Sequence, residues 1–194
     1  MVGTQMIAKG HDFPAVTLVG ILDADMSLHF SDYRSGERTY QLITQVAGRS
    51  GRADDKGKVV LQTYSPENYI LRYAVQYDYN GFFENEVKMR KAALFPPYSL
   101  ICRIMVVSED NAQALEALKS VYFAVEDIRK ANAGEFLFLN KMHSPIKKIQ
   151  NKVRYQVLAR LKSGKHLESL YDIAVKYSTS SVLVYVEENP VNLS

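Results

Sequence analysis

The feature that most constrains the fold of this chain is a strand, helix and strand pattern in its first third. Residues 15–22 (AVTLVGIL) read as a buried strand, residues 38–46 as a helix, and residues 58–63 (KVVLQT) as a second strand. This spacing predicts a βαβ unit, whose strands run parallel. Because a parallel sheet needs cover on both of its faces, one such unit is incomplete. The sequence therefore predicts part of an α/β domain that lacks its beginning.

The rest of the chain predicts a different fold class. Residues 67–94 have apolar positions at helical spacing, and residues 95–98 (FPPY) stop a helix and predict a domain boundary. The following pattern predicts strands at 100–107, 135–140, 152–162 and 182–187, and helices at 111–130 and 165–177. Asp110 or Ser108 is the expected N-cap of the first of these helices, and Gly134 fits a C-cap. We therefore predict an α/β domain over residues 1–98 and an α+β, ferredoxin-like βαββαβ domain over residues 99–194.

Composition excludes several classes of protein. The formal net charge of +3 is too small to imply a polyanionic partner by itself. Cys102 is the single cysteine, which excludes an internal disulfide and a cysteine-rich zinc site and favours a reducing compartment. His29, His143 and His166 form no metal-ligand spacing, so no metal site is predicted. No apolar run could span a bilayer and no signal peptide pattern follows Met1, so we expect a cytoplasmic protein without membrane contact.

Residues 45–52 (QVAGRSGR) combine arginines with glycines. Gln45, Arg49 and Arg52 are spaced four and three apart, so they share one face if the helix continues through them. Gly48 and Gly51 each cost a helix about 1 kcal/mol relative to alanine, which indicates close approach of the backbone to another group. Two converging guanidinium groups suit a polyphosphate, and such an arginine can stabilise charge on a γ-phosphate. A solvated basic face at a helix C-terminus fits the same spacing.

Positive charge is concentrated in the last third of the chain. Residues 136–167 contain no Asp or Glu and eight cations: Lys141, Lys147, Lys148, Lys152, Arg154, Arg160, Lys162 and Lys165. Alternation over 152–162 predicts a strand whose exposed face carries Lys152, Arg154, Gln156, Arg160 and Lys162. With Lys147 and Lys148 in front of it, this strand can follow a phosphate backbone without reading sequence. A solvated sheet edge that uses lysine against aggregation is the alternative.

Two segments carry a resemblance to a known family. Residues 45–52 match the motif called VI in superfamily 2 helicases, and residues 3–14 (GTQMIAKGHDFP) match motif V in the wording of one family. Residues 23–25 (DAD) and 32–38 (DYRSGER) lie between them in that family's order. Over its whole length the chain resembles the C-terminal part of the PriA family of primosomal replication-restart helicases. The resemblance implies the end of the second RecA-like lobe, followed by a domain likened to ribosomal protein S10.

The resemblance implies roles for residues in both motifs. Motif VI is implied to face ATP between two RecA-like lobes, with Arg52 as the arginine finger and Arg49 as its γ-phosphate partner. Gln45, Gly48 and Asp12 are implied to lie on the nucleotide side. Motif V is implied to direct Gly3, Thr4, Gln5 and Lys9 towards DNA. For His11 and Asp12 a turn in which Asp12 bonds its own backbone is the alternative.

The last third resembles the family at residues 144–146 (SPI) and 154–156 (RYQ). This resemblance implies DNA binding and contact with the single-stranded DNA-binding protein. The family pattern is not kept around Asn140 and Lys141, nor at residues 187–190 (EENP), so contacts made through those positions are not carried over.

The implied parent is an ATP-dependent DNA helicase that moves 3′ to 5′, recognises forked and single-stranded DNA, and restarts stalled replication in the nucleoid. Primosome and helicase-loader proteins are its implied partners, ATP and Mg²⁺ its cofactors, and zinc belongs to the parent but not to this chain. The chain contains no phosphate-binding loop that ends in Gly-Lys-Ser/Thr. We therefore expect the isolated chain to bind DNA or partners without ATP turnover. A non-enzymatic nucleic-acid-binding module and an RNA-directed superfamily 2 helicase are the alternatives.

Overall fold

A computed structural model of the chain describes residue 3 and residues 16–29, 32–48 and 58–190. The chain divides into two compact units, residues 1–89 and residues 90–194. The predicted domain limit at residue 98 stays a prediction, because compactness alone does not establish an independently folding domain. Within the described ranges, none of the helices has the length and apolar character needed to cross a membrane.

The first unit contains the predicted βαβ arrangement. Its elements are β1 (Leu18–Ile21), α1 (Ser35–Ala47), β2 (Lys58–Leu61), α2 (Tyr69–Gln76) and the larger part of α3 (Tyr79–Ala92), with a short 3-10 helix at Met26–His29. Strands β1 and β2 pair in parallel, with Leu18 opposite Lys58 and Ile21 opposite Leu61. The α/β class predicted for this part of the chain is thereby confirmed.

The core of the first unit lies between α1, α2 and α3. It is formed by Ala24, Tyr40, Ile43, Ile70, Leu71, Ala74 and Phe82. The rings of Tyr40 and Phe82 stack with centroids 4.4 Å apart and join α1 to α3. The opposite face of the strand pair is open among the described residues, since Leu18 and Val60 are 62% and 51% exposed. This one-sided packing agrees with the expectation that a single βαβ unit covers only one face of its sheet.

The second unit is a four-stranded antiparallel sheet with two helices. Its elements are β3 (Leu100–Ser108), α4 (Asn111–Ala131), β4 (Phe136–Ile149), β5 (Lys152–Leu161), α5 (Leu167–Tyr177) and β6 (Val182–Glu188), with a 3-10 turn at Gly164–His166. The strand order is β4-β5-β3-β6, so β5 lies between β3 and the strand that follows α4. This is the split βαβ plan, and the predicted ferredoxin-like fold class is confirmed.

Both helices of the second unit pack on the same face of its sheet. Cys102, Ile104 and Val106 of β3 point into a core that α4 and α5 complete with Val121 and Leu170. The carboxylate of Asp110 accepts hydrogen bonds from the amides of Ala112 and Gln113, which confirms it as the N-cap of α4.

The C-terminal end of α4 differs from the prediction. Asn132 is the C-cap, with a φ of −129°. Gly134 does adopt a positive φ of 91°, but it does so in the turn that leads into β4. The glycine therefore serves the turn and not the helix end.

The end of β6 is fastened to the start of β3. The Asn189 side-chain oxygen accepts from the Ile101 amide at 3.0 Å, and the Asn189 amide donates to the Ile101 carbonyl at 2.7 Å. Nearby in this segment, Glu187 pairs with Arg103 at 2.6 Å. Residues 187–190, where the family pattern is not kept, thus have a structural role in this chain.

Strand β4 is longer than its predicted extent of 135–140. It continues to Ile149, with a register shift between His143 and Lys148, so Lys147 and Lys148 lie on an edge strand. The extension forms because β5 pairs with β4 on both sides of the shift, at His143 with Tyr155 and at Lys148 and Ile149 with Val153 and Lys152. Pro145 falls within the shift, where a residue without an N–H is tolerated on an edge strand.

Candidate nucleic-acid interface

The basic residues near position 150 lie on the β4–β5 hairpin. Its two strands are joined at Gln150 and Asn151, which have φ values of 47° and 67°. Two consecutive positive φ values are typical of the type I′ turn, which matches the twist of antiparallel strands. Ile149 and Lys152 are the last paired residues before the turn, so their side chains share one face.

The four predicted cations of this hairpin lie on both of its faces. Arg154 is two residues from Lys152 and shares its face. Lys148 is paired with Val153, which packs against the helix-side core, so Lys148 lies on the helix side. Lys147, Lys148 and Lys152 are exposed and Arg154 is half-buried. Within the described part of the chain none of the four forms an ion pair, so their charge is uncompensated there.

The predicted basic face of β5 is wrong towards the middle of the strand. Gln156 is only 3% exposed, and its side-chain oxygen has no hydrogen-bond partner among the described residues. Arg160 lies over the Phe95 ring at 4.5 Å and donates to the Ala93 carbonyl at 3.1 Å, so it is also partly covered. The physical reason is that Gln156 is paired with the fully buried Met105 of β3 and the half-buried Met142 of β4, so this face of the sheet is covered at its centre. The exposed cations of this predicted face are therefore Lys152, at the tip of the hairpin, and Lys162, just after the opposite end of β5.

Sequence reasoning missed an aromatic group beside the basic stretch. The Lys141 ammonium lies 4.5 Å from the ring centroid of Tyr122 and 5.0 Å from that of Phe123, both on α4. Nearby on β4, the His143 ring lies 4.7 Å from that of Tyr155. The contact joins residues about twenty positions apart, so no local pattern reveals it. The available signal was a phenylalanine on the outer face of an amphipathic helix.

The described part of motif VI is the last turn of α1. Gln45 and Gly48 are exposed, whereas Ile43 is buried as predicted. The Gly48 amide donates to the Thr44 carbonyl at 3.0 Å, and among the described residues a Cβ on Gly48 would meet only the carbonyls of Thr44 and Gln45 within 4 Å. The close approach of another group to Gly48 therefore stays a prediction. Arg49, Gly51 and Arg52 lie outside the described residues.

Most of motif V also lies outside the described residues. Thr4, Gln5, Lys9 and Asp12 are among the positions that are not described, and Gly3 is exposed. The assignment of these residues to DNA or nucleotide stays a prediction.

The segments between the two motifs have structural roles. Asp25 is buried, and its carboxylate accepts from the Thr63 hydroxyl at 2.8 Å and from the Tyr64 amide at 2.6 Å. The Tyr64 amide is the main reason that the pKa of this carboxyl lies below its ordinary value. At the start of α1, Asp32 pairs with Arg38 at 2.8 Å. These carboxylates hold the strand ends and the helix start in place.

Comparison with known proteins gives a consistent result. No family model matches the chain. The chain is 38% identical over 197 residues to the replication restart protein PriA of Bacillus subtilis, which covers 98% of the chain. It is 39% identical over 158 residues to the protein of that name from Rickettsia felis, and 32% identical over 200 residues to that from Borreliella burgdorferi, covering 81% and 100% of the chain.

The chain belongs to the PriA family. This confirms the family predicted from residues 3–14 and 45–52. The chain spans 24% of the Bacillus subtilis relative and 29% of the Borreliella burgdorferi relative. Membership in the PriA family leaves the roles of individual residues as predictions.

Proposed function

We propose that this chain is the C-terminal part of a PriA-type DNA helicase and that its ferredoxin-like unit binds DNA through the tip of the β4–β5 hairpin. The observation that carries the proposal is the group of four hairpin cations, Lys147, Lys148, Lys152 and Arg154, which form no ion pair within the described residues. They belong to a stretch, residues 136–167, that contains no acidic residue. The name of its relatives, replication restart protein, supports DNA as the polyanion.

The chemistry of the hairpin suits binding without sequence preference. Lysine and arginine contacts to phosphates release counterions, so affinity falls as salt rises. Four such contacts give a slope of log affinity against log salt of about −3 to −3.6. Because the cations lie on both faces of a narrow hairpin, the tip can contact phosphates of two strand segments at once. This arrangement favours a branched DNA over one smooth duplex.

The test is a salt series of binding to forked, single-stranded and duplex DNA by the whole chain. One variant changes Lys147, Lys148, Lys152 and Arg154 to glutamine. A control variant, with the same loss of charge, changes four exposed lysines outside the hairpin: Lys88, Lys91, Lys130 and Lys176. We expect the first variant to lose most of the affinity and of the salt slope, and the control to keep both. Equal loss in the two variants would contradict a site on the hairpin.

For the full-length protein we propose ATP-driven translocation in the 3′ to 5′ direction and restart of replication at stalled forks. Arg52 acts there as the arginine finger and Arg49 as its γ-phosphate partner, with Gln45, Gly48 and Asp12 on the nucleotide side. Motif V contacts DNA through Gly3, Thr4, Gln5 and Lys9. The match of residues 45–52 and 3–14 to helicase motifs supports these roles.

The cofactors and partners of this proposal belong mainly to the parent protein. ATP and Mg²⁺ act in the parent, which also holds zinc outside this chain. The chain alone does not turn over ATP, since it has no loop to hold the nucleotide phosphates. Its proposed partners are the single-stranded DNA-binding protein and the primosome and helicase-loader proteins, in the bacterial cytoplasm at the nucleoid.

A second candidate function is a nucleic-acid-binding module without enzymatic activity. The observation that favours it is the core of the second unit, in which two helices cover one face of a four-stranded βαββαβ sheet. Substitution of Arg52 in the full-length protein separates the two candidates, because only the helicase needs this arginine. Competition with duplex RNA tests in the same assay whether RNA is the preferred nucleic acid.

A further inference from the structure

Five side chains form a strip along the helix side of the edge strand β4, and we call this group the β4 strip. It consists of Tyr122, Phe123, Lys141, His143 and Lys148. Lys141, His143 and Lys148 are paired across the ladder with Val157, Tyr155 and Val153, all of which belong to or pack against the helix-side core. The three residues of β4 therefore share the face on which α4 lies. Tyr122 and Phe123 of α4 complete the strip.

Phe123 is the unusual member of the strip. Helix α4 buries Ala114, Leu118, Val121 and Val125 completely or nearly so, whereas Phe123 is 57% exposed. Its ring centroid lies 5.7 Å from that of Tyr122, with the two planes at 72°, and this contact leaves most of the Phe123 side chain accessible. A single exposed apolar side chain is ordinary on a protein surface. The feature that needs explanation is the accessible ring together with an adjacent ammonium group.

Lys141 supplies that ammonium group. Its Nζ lies over both rings, 4.5 Å from the Tyr122 centroid and 5.0 Å from the Phe123 centroid. Within the described residues Lys141 forms no ion pair. Glu126, about one turn further along α4, is paired with Arg129 through two hydrogen bonds of 2.6 and 2.7 Å. A cation that rests on exposed rings is weakly held and can move to a phosphate.

We propose that the β4 strip is a binding track for single-stranded DNA in which Phe123 stacks on an unpaired base. Lys141 and Lys148 neutralise phosphates along the track, and Tyr122 fixes the orientation of the Phe123 ring. An accessible aromatic face beside lysines is the combination that binds single strands without sequence preference. The inference rests on the proposed DNA binding by the hairpin, because Lys148 links the strip to the hairpin tip. It extends the proposed site from the tip along β4 to α4.

The chain has no tryptophan, which allows a direct test. Phe123→Trp introduces a single reporter, and stacking on oligothymidylate should quench its fluorescence. Val175→Trp, at a 76% exposed position on α5, is the control and should not be quenched. Phe123→Ala and Phe123→Leu should both weaken binding of labelled oligothymidylate by about fivefold or more, the fold-change that corresponds to the loss of one base–aromatic stack. Leucine keeps the apolar bulk but not the ring, so an equal effect of both variants identifies stacking.

Lys141→Gln gives an independent measurement. It should reduce the salt slope of oligothymidylate binding by about one, the change that corresponds to one lost phosphate contact. Unfolding midpoints of all variants are compared with that of the unchanged chain. Because Phe123 is exposed, we expect them to agree.

The outcomes distinguish this inference from the proposed function. Suppose that the chain binds DNA and loses that binding when the hairpin is neutralised, but the Phe123→Trp reporter is not quenched and Phe123→Ala binds normally. The β4 strip is then overturned and the hairpin site stands. If an acidic peptide quenches the Phe123→Trp reporter and oligothymidylate does not, the strip is a protein contact and the inference is wrong. If the chain binds no DNA, both the strip and the proposed function fail.

Discussion

The carboxylate of Asp25, just after β1, accepts hydrogen bonds at 2.8 Å from the hydroxyl of Thr63, just after β2. The ladder of these parallel strands ends at Ile21 and Leu61, and one further backbone bond joins the Ala24 amide to the Gln62 carbonyl at 3.0 Å. The contact of Asp25 with Thr63 extends this association by a side chain. The Tyr64 amide, 2.6 Å from the same carboxylate, strengthens the link. The ends of β1 and β2 are thereby held together by the ionised carboxylate of Asp25.

The first prediction concerns Asp25. Asp25→Asn should increase hydrogen exchange of the amides of β2 at neutral pH, because a neutral amide accepts these bonds more weakly than a carboxylate. The pKa of Asp25 is lowered, so its contribution to stability is present above its ordinary value of 3.8 and is lost as the pH falls through the lowered pKa. The exchange rates of the two proteins should therefore converge at acid pH. A difference that persists unchanged at low pH would show that the ionised form is not responsible.

The second prediction concerns Gly81 in the first turn of α3. A Cβ at this position would lie 2.5 Å from a ring carbon of Tyr73 and closer still to the Asp78 carboxylate, which accepts from the Gly81 amide. Gly81→Ala should lower the free energy of unfolding by about 1–3 kcal/mol, the usual cost of overpacking. Gly20→Ala is the matched control, because no atom of the described residues lies within 4 Å of a Cβ there. Equal urea midpoints for the two variants would contradict the prediction.

The third prediction concerns Cys102, which is fully buried in the second unit. Burial, followed by the charge of Glu188, raises the pKa of its thiol to about 12 from the ordinary value of 9.0. The native chain should therefore react with a thiol reagent at neutral pH about 10³-fold more slowly than the urea-unfolded chain. Because the folded pKa is raised, this group's contribution to stability is present below pH 9 and is lost as the pH rises towards 12. Rapid labelling of the folded chain would show that the core of this unit opens readily.

The fourth prediction concerns Arg52 in the full-length protein. Arg52→Ala should lower the DNA-stimulated rate of ATP hydrolysis by about 10³-fold or more, because an arginine finger stabilises the charge of the transition state. Binding of forked DNA should remain. Arg72→Ala, whose side chain is 63% exposed, is the control for loss of an arginine in the same unit. An unchanged ATPase rate in the Arg52 variant would favour the module without enzymatic activity.

The sequence was sufficient to predict the order of elements in both units. Apolar periodicity distinguishes strands from helices, and Asp110 marks the start of α4 through its own side chain. The parallel pairing of β1 and β2 followed from the helix between them. The elements themselves depend on interactions between near neighbours, which a sequence displays directly, and the parallel pairing then follows from the order of the elements.

Other features depend on contacts that local patterns do not display. Alternation placed Gln156 on the face away from the helices, but it could not show that this inner-strand position is buried. The region after residue 140 is polar and contains Pro145, so local periodicity does not predict a strand there. It becomes a strand through its pairing with β5. The contact of Lys141 with Tyr122 and Phe123 likewise depends on how α4 lies against the edge of the sheet.

Because of the register shift between His143 and Lys148, an even or an odd change in the number of hairpin residues has a different effect on which face its lysines occupy. Side chains alternate between faces along a strand, so a change of one residue in this segment would move the residues on one side of it to the opposite face. A change of two residues would preserve their faces. Family members whose hairpins differ by an even number of residues should therefore keep the same pattern of basic faces, whereas an odd difference should be accompanied by relocated lysines.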